Sequence, residues 1–188
     1  ANEAIWFVDG AVIKFSDDEK FIANRIKRVA ELEGYVPQIT GVGANMYRYN
    51  KVQGRVLSEV VTVPRFHQLL EFSQGFWASK QLTEDQQATF QHNCLRFYRD
   101  KTLERVELFY KTCAKQDGTE SINGVLTPSL RSLLERVDWN WLAQGLAGRF
   151  HGDFHFENII VTDEDRFVFL DWRQDFGGDL SIGDVYYD

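Results

Sequence analysis

The chain is poor in cysteine, has no long apolar run and carries no surplus of positive charge, and each shortage removes a class of protein. Its only cysteines are Cys94 and Cys113. Their spacing suggests no zinc site, so both read as reduced thiols at core-like positions of helical segments in a cytosolic protein. No stretch approaches the ~20 apolar residues that a spanning helix needs, so no membrane partner is expected. A net charge of −7 argues against a nucleic-acid surface. Internal repeats and low-complexity linkers are also missing. What remains is 188 residues with 44% hydrophobic and 14% aromatic content. That is an ordered chain long enough for one good-sized core or two small lobes.

The most informative stretch is His151-Gly152-Asp153-Phe154-His155-Phe156-Glu157-Asn158, followed after two apolar runs by Asp171. An Asp, an Asn shortly after it and a second Asp beyond an apolar run form the acid/base and metal-binding set of phosphoryl-transfer sites. Ile159-Ile160-Val161 and Phe167-Val168-Phe169-Leu170 flank the polar residues 162–166, which reads as a hairpin. A turn centred between Glu164 and Asp165 pairs Thr162 with Phe167, Ile160 with Phe169 and Asn158 with Asp171. Opposed residues on one face hold their Cβ atoms about 4.5–5.5 Å apart. An amide oxygen and a carboxylate at that separation can share Mg²⁺, which takes only one or two protein ligands. A one-residue slip would aim the two side chains at opposite faces. Asp153, ahead of the hairpin, is free to accept a proton from an attacking hydroxyl.

These residues carry a resemblance. His151-Gly152-Asp153-x-His155-x-x-Asn158 with Leu170-Asp171-Trp172 resembles the aminoglycoside phosphotransferase and choline kinase group of small-molecule kinases. The resemblance implies an α+β, protein-kinase-like fold of two lobes with ATP between them, a catalytic base at Asp153 and Mg²⁺ ligands at Asn158 and Asp171. Gly152, where protein kinases have Arg, and Asp171-Trp172-Arg173 favour the small-molecule branch. Gly183-Asp184-Val185-Tyr186-Tyr187-Asp188 resembles the group's Gly-Asp-x-x-Tyr-Asp segment, which opens a helix behind the site.

The rest of the chain follows that order. Ile5 to Phe15 reads as a hairpin over Asp9-Gly10, and Lys14 ends its second strand as an ATP-binding Lys does. A helix is expected from Asp17 to about Glu33. The glutamate that pairs with the strand Lys in this group has no match mid-helix, where Asn24 and Arg25 stand, and Glu19 is the substitute candidate. Gly41-Val42-Gly43 reads as a loop, and Met46 to Gly54 as the strand entering the adenine-gripping hinge. Helices are expected from Pro64 to about Lys80, from Thr83 to Lys115, and from an N-cap at Thr127 ahead of Pro128. The last of these turns Leu130, Leu133, Leu134, Val137 and Trp141 inward. The division expected is a partial N-lobe over 1–62, with a small antiparallel sheet, and a mainly helical C-lobe over 63–188.

His151 is expected to anchor the catalytic loop, and His155 to support it or touch the reacting groups. Arg173, Asp175 and Asp179 fall where the family's acceptor pocket begins, with turn and cap roles for the carboxylates as the alternative. No Gly-x-Gly-x-x-Gly is present, and the group's fold continues past residue 188, so the chain is expected to be part of a longer protein. The expected activity is ATP- and Mg²⁺-dependent transfer to a hydroxyl of a small molecule, such as an amino alcohol, a sugar or an aminoglycoside. The acidic balance leaves room for a cationic acceptor. A nucleotide-binding regulatory module, or the kinase half of a bifunctional kinase/nucleotidyltransferase, are the other readings.

Overall fold

Asp9 and Gly10 both take positive φ, 47° and 75°, as a two-residue type I′ hairpin turn requires. They join β1 (Glu3–Val8) to β2 (Ala11–Ser16) with Val8 opposite Ala11 and Ile5 opposite Lys14. The computed structural model describes residues 2–188. Asp18 then caps α1 (Glu19–Arg28), its carboxylate accepting the Phe21 N–H at 3.0 Å. The helix is shorter than its apolar spacing suggested. Beyond Arg28 the backbone tightens to three-residue steps, as in the Tyr35 N–H to Leu32 carbonyl bond at 3.0 Å, and Gly34 turns left-handed. Leu32 stays fully buried, so the periodicity reported a packed face but not its geometry.

Strands β3 (Ile39–Gly43) and β4 (Met46–Asn50) complete a four-stranded antiparallel sheet in the order β1-β2-β4-β3. Gly41-Val42-Gly43 is therefore strand, not loop. Val12, Lys14, Tyr47 and Tyr49 are buried, and α1 packs on β2 and β4. β5 (Arg55–Val56) and α2 (Leu57–Val60) lead to α3 (Val63–Phe76), capped by Thr62 with Pro64 in its first turn.

A capping box between Thr83 and Gln86 opens α4 (Glu84–Leu95), which passes through a π-helical turn at Arg96–Asp100 into α5 (Lys101–Thr112). The apolar stripe along this segment is buried only in its first half. Phe90, Cys94 and Phe97 are buried, whereas Val106 and Tyr110 are half-buried and Phe109 is exposed. Cys113 is exposed too, contrary to the core position expected for it.

The third helix does not start at Thr127. Asn123 and Gly124, both at positive φ, turn a hairpin between β6 (Glu120–Ile122) and β7 (Val125–Thr127). The Thr127 hydroxyl donates to the Glu120 carbonyl at 2.8 Å. Ser129 caps α6 (Leu130–Leu134) instead, and a separate α7 (Trp139–Leu142) follows. Leu133 and Trp141 point outward, Trp141 at 67% exposure.

The chain closes with β8 (Ala147–Gly148), β9 (Ile159–Val161), β10 (Phe167–Phe169) and β11 (Gly183–Asp184). β8 pairs with β11, and β9 lies between β10 and β5. The β9–β10 hairpin exists, but its register is one residue from the expected one: Val161 faces Phe167 and Ile159 faces Phe169. The turn is centred on Glu164. Thr162 N–H donates to the Arg166 carbonyl at 2.9 Å, and Asp165 sits left-handed at φ 56°. This is the three-residue hairpin loop, whose third residue absorbs the extra position.

Two apolar clusters hold these elements. One joins sheet, α1 and the late hairpin through Ile22, Tyr47, Leu69, Phe76, Phe169 and Trp172. The other packs Phe90, Cys94, Phe97, Phe150 and Phe176 together. Strands first, helices next and a late hairpin make the architecture α+β.

Candidate active site

With the register shifted, Asn158 and Asp171 cannot be cross-strand partners, yet both line one cavity of about 300 Å³. Neither belongs to the ladder. Asn158 ends a 3₁₀ turn (Phe156–Asn158). Asp171 is left-handed, at φ 59°, a region that Asp tolerates better than most residues. That twist re-aims its carboxylate, and its neighbours are fastened on every side. Leu170 N–H donates to the Asn158 carbonyl at 2.7 Å, and Arg173 N–H to the His151 carbonyl at 2.9 Å. The indole N–H of buried Trp172 donates to the Arg25 carbonyl at 2.9 Å.

Asp153, Lys14 and Arg25 line the same cavity. Lys14 is ion-paired with Asp171, and Arg25 Nη1 lies 3.5 Å from the same carboxylate oxygen. Burial, and then the Arg25 guanidinium, pull the Lys14 ammonium down to about 7, with Glu3 acting the other way. Arg25 Nε is itself buried without a partner. On the opposite side, Asn158 Nδ2 donates to the Asp153 carbonyl at 2.9 Å and to its carboxylate at 3.0 Å. The His155 Nε2 atom is 3.1 Å from that amide nitrogen and 3.6 Å from the carboxylate.

The comparisons with known proteins follow this geometry. A family model described as APH, the phosphotransferase enzyme family, matches residues 20–188. The chain belongs to the phosphotransferase enzyme family. The matched stretch includes Asp153, Asn158 and Asp171 and begins after Lys14. No curated protein matches the chain. Among solved structures, it is similar to the macrolide 2'-phosphotransferase MphH from Brachybacterium faecium, in its apoenzyme form. The identity is 16%, the TM-score is 0.42, and the match covers 95% of this chain and 61% of that one. The chain thus spans less than two thirds of that protein's length.

Within this phosphotransferase-family chain, the late loops are braced by residues that motif reading does not single out. Arg28, 1% exposed, ends α1 beneath the site. Its guanidinium donates to the carbonyls of Leu180 at 3.0 Å and His151 at 3.4 Å, and also to those of Phe150 and Arg173. It lies 3.7 Å over the Phe150 ring. Burial lowers it to about 9, with Asp188 foremost among the carboxylates resisting the shift. Asp188 accepts the N–H groups of His151 at 2.6 Å and Gly152 at 2.7 Å. It therefore braces the loop that carries Asp153. Burial pushes its carboxyl up against the pull of those donors.

His151 is fully buried. Its Nδ1 accepts the Asp153 N–H at 3.3 Å, which holds the ring neutral. Burial, and then Arg28, drive its pKa down to about 3. Gly152, at φ 90°, has no room for a side chain, because a Cβ there would come within 2.6 Å of the Arg173 Cβ. The glycine that replaces the protein-kinase Arg is thus demanded by backbone angle and by contact.

Glu19, Arg173, Asp175 and Asp179 stand apart from the cavity. Glu19 is exposed on the first turn of α1 and makes no ion pair among the described residues. Its signal was that of an acid at a helix start, where the dipole favours one. The helix position that does reach Lys14 holds Arg25. Asp175 Oδ1 accepts the Gly178 N–H at 3.0 Å, and Asp179 Oδ1 accepts those of Ser181 and Ile182 at 2.8 and 2.9 Å. Both carboxylates are engaged by their own loop. Arg173 faces a second cavity, together with Asp175.

Among the described residues no group of three His, Cys, Asp or Glu side chains could hold a metal. The amide oxygen of Asn158 and the carboxylate of Asp171 nevertheless form an oxygen-only pair. That donor set fits Mg²⁺, whose other ligands come from phosphate and water.

Proposed function

We propose that this chain transfers the γ-phosphoryl group of ATP to a hydroxyl of a small molecule. The supporting observation is the convergence of Lys14, Asp153, Asn158 and Asp171, from distant parts of the sequence, on one cavity. Asn158 and Asp171 would hold Mg²⁺, which supplies charge neutralisation on the phosphate oxygens. Lys14 positions those phosphates, and Arg25 adds a second cation where the group's helix glutamate would stand.

The acceptor hydroxyl is oriented by Asp153. Its oxygen forms the new bond to the γ-phosphorus as the bond to the β–γ bridging oxygen breaks, and ADP leaves with that electron pair. The hydroxyl proton passes to the Asp153 carboxylate. Asn158, donating to that carboxylate, and His155 beside it hold it in place. His151, neutral and buried, positions the loop and takes no proton. Positioning and electrostatics carry most of such a reaction.

A second reading, a nucleotide-binding module without turnover, is favoured by one feature: Lys14 finds no carboxylate on α1. Nucleoside triphosphate consumption by the full chain with Mg²⁺ separates the two. The panel is amino alcohols, sugars and aminoglycosides, with wild type and Asp153→Asn side by side. The kinase reading expects acceptor-dependent turnover that falls by about 10²–10⁴-fold in the variant. An equally active variant removes Asp153 from the base role. Nucleotide binding with no acceptor-dependent turnover supports the module.

A further inference from the structure

A second cavity, of about 480 Å³, adjoins the first across α1 and is lined by Lys20, Arg96, Lys101 and Arg173. It shares α1 with the Lys14 cavity, which Phe21 and Arg25 line while Lys20 and Asn24 face this one. Arg173 stands two residues from Asp171 and so ties the two spaces together.

In a chain of net charge −7, four cations around one cavity need a reason. Among the described residues none of the four takes part in an ion pair. The carboxylates lining the same space are Asp100, Glu104 and Asp175. Asp100 is occupied by Arg99 Nε at 2.8 Å, and Asp175 by the Gly178 N–H. Asp175 keeps its charge while accepting that N–H, so four cations, none in an ion pair, face Glu104, Asp175 and the Arg99-paired Asp100.

Two of the cations are already partly dehydrated. The Lys101 ammonium lies 4.6 Å from the centre of the Phe97 ring, and the Arg173 guanidinium 5.2 Å from it. Arg173 Nη1 is buried with no hydrogen-bond partner, a donor whose desolvation nothing in the protein offsets. Burial, and then Arg173 and Arg105, lower Lys101 to about 8, with Asp175 acting the other way. Phe97 is in turn stacked on Phe176 at 4.3 Å, so the platform under both heads is fixed.

We propose that this cavity binds the anionic group of the acceptor: the small alcohol phosphorylated by this chain carries a carboxylate or phosphate, held by Lys101 and Arg173. The inference rests on the phosphotransferase reading for the word acceptor, but its binding chemistry stands independently. It differs from the cationic acceptor for which the acidic composition left room, because overall charge does not describe the local cavity.

Four sugars that differ mainly in charge test it: glucose, glucosamine, glucuronate and glucose 6-phosphate. Each is titrated calorimetrically into the full chain without nucleotide, then offered with ATP and Mg²⁺. The expected result is that glucuronate or glucose 6-phosphate binds at least about tenfold more tightly than glucose, with glucosamine weakest. The better of the two anions reports whether carboxylate or phosphate is preferred. Lys101→Gln and Arg173→Gln should each remove about tenfold of that preference. Lys101 is half-exposed, so its variant keeps the fold if Arg173→Gln does not. Equal binding of all four, binding of none, or tightest binding of glucosamine overturns the inference. Anion binding without nucleotide turnover in any arm leaves the cavity's binding chemistry assigned and counts against these sugars as acceptors, the broader panel deciding the kinase. Turnover of glucose or glucosamine that Lys101→Gln leaves unchanged does the reverse.

Discussion

The two cavities on either side of α1 are both rich in cations, but they differ in what those cations meet. In the first, Lys14 and Arg25 converge on the Asp171 carboxylate. In the second, Lys101 and Arg173 lie over the Phe97 ring and form no ion pair among the described residues, although Asp100, Glu104 and Asp175 line the same space. On the proposed reading, Lys14 and Arg25 would exchange that carboxylate for phosphate oxygens when nucleotide enters, whereas Lys101 and Arg173, which form no ion pair among the described residues, would take an anion that the ligand brings. Alternating rows of one helix thus face two chemistries, with Arg28 at its end fastening the frame under both.

Breaking the frame should have the largest effect. Arg28→Met leaves the carbonyls of Phe150, Arg173 and Leu180 short of a donor, while that of His151 keeps the Arg173 N–H, at about 1–3 kcal/mol for each one not re-satisfied. We expect a loss of several kcal/mol in urea denaturation, with both cavities weakened together. Near-wild-type stability would mean that water or neighbouring donors replace the guanidinium.

Arg25→Gln sharpens the contrast between the cavities. Nucleotide affinity should fall by about tenfold, as for one charge-assisted contact, while anion binding at Lys101 is unchanged. A variant that loses both ligands equally would show α1 acting as one unit.

A further effect comes from pH. His151 has a pKa of about 3 in the fold against an ordinary 6.5. Between those values the unfolded chain binds a proton that the folded chain does not, so stability falls as pH drops below about 6.5. The slope from this group reaches about 1.4 kcal/mol per pH unit. Above neutrality it contributes no slope. Denaturation midpoints at pH 7.5, 6 and 5 should fall more steeply in wild type than in His151→Gln, and parallel curves would place the titration elsewhere.

Sequence reading succeeded where local chemistry decides. Asp9-Gly10 allows one turn and hence one register for β1 and β2, and Thr83, a suitable N-cap, announces a helix start. It slipped by one residue at β9–β10, because Asp163-Glu164-Asp165 can be crossed by an even or an odd loop. Only the left-handed Asp165 shows which. Asn158 and Asp171, which lie outside the ladder, line one cavity despite the slip. The hairpin at Asn123-Gly124 carried a strong turn signal, but Thr127-Pro128 offered a competing helix start. Arg28 and Asp188 were not legible as braces at all. Their partners are backbone groups of distant residues, and no side-chain pattern records them.

The most direct test of the account is calorimetric titration of ATP into the full chain, with and without Mg²⁺, for wild type, Asp171→Asn and Asp153→Asn. The account predicts Mg²⁺-dependent binding that Asp171→Asn abolishes and Asp153→Asn largely spares. Binding that is indifferent to Mg²⁺, or that both variants lose alike, would contradict the division of labour between the two carboxylates.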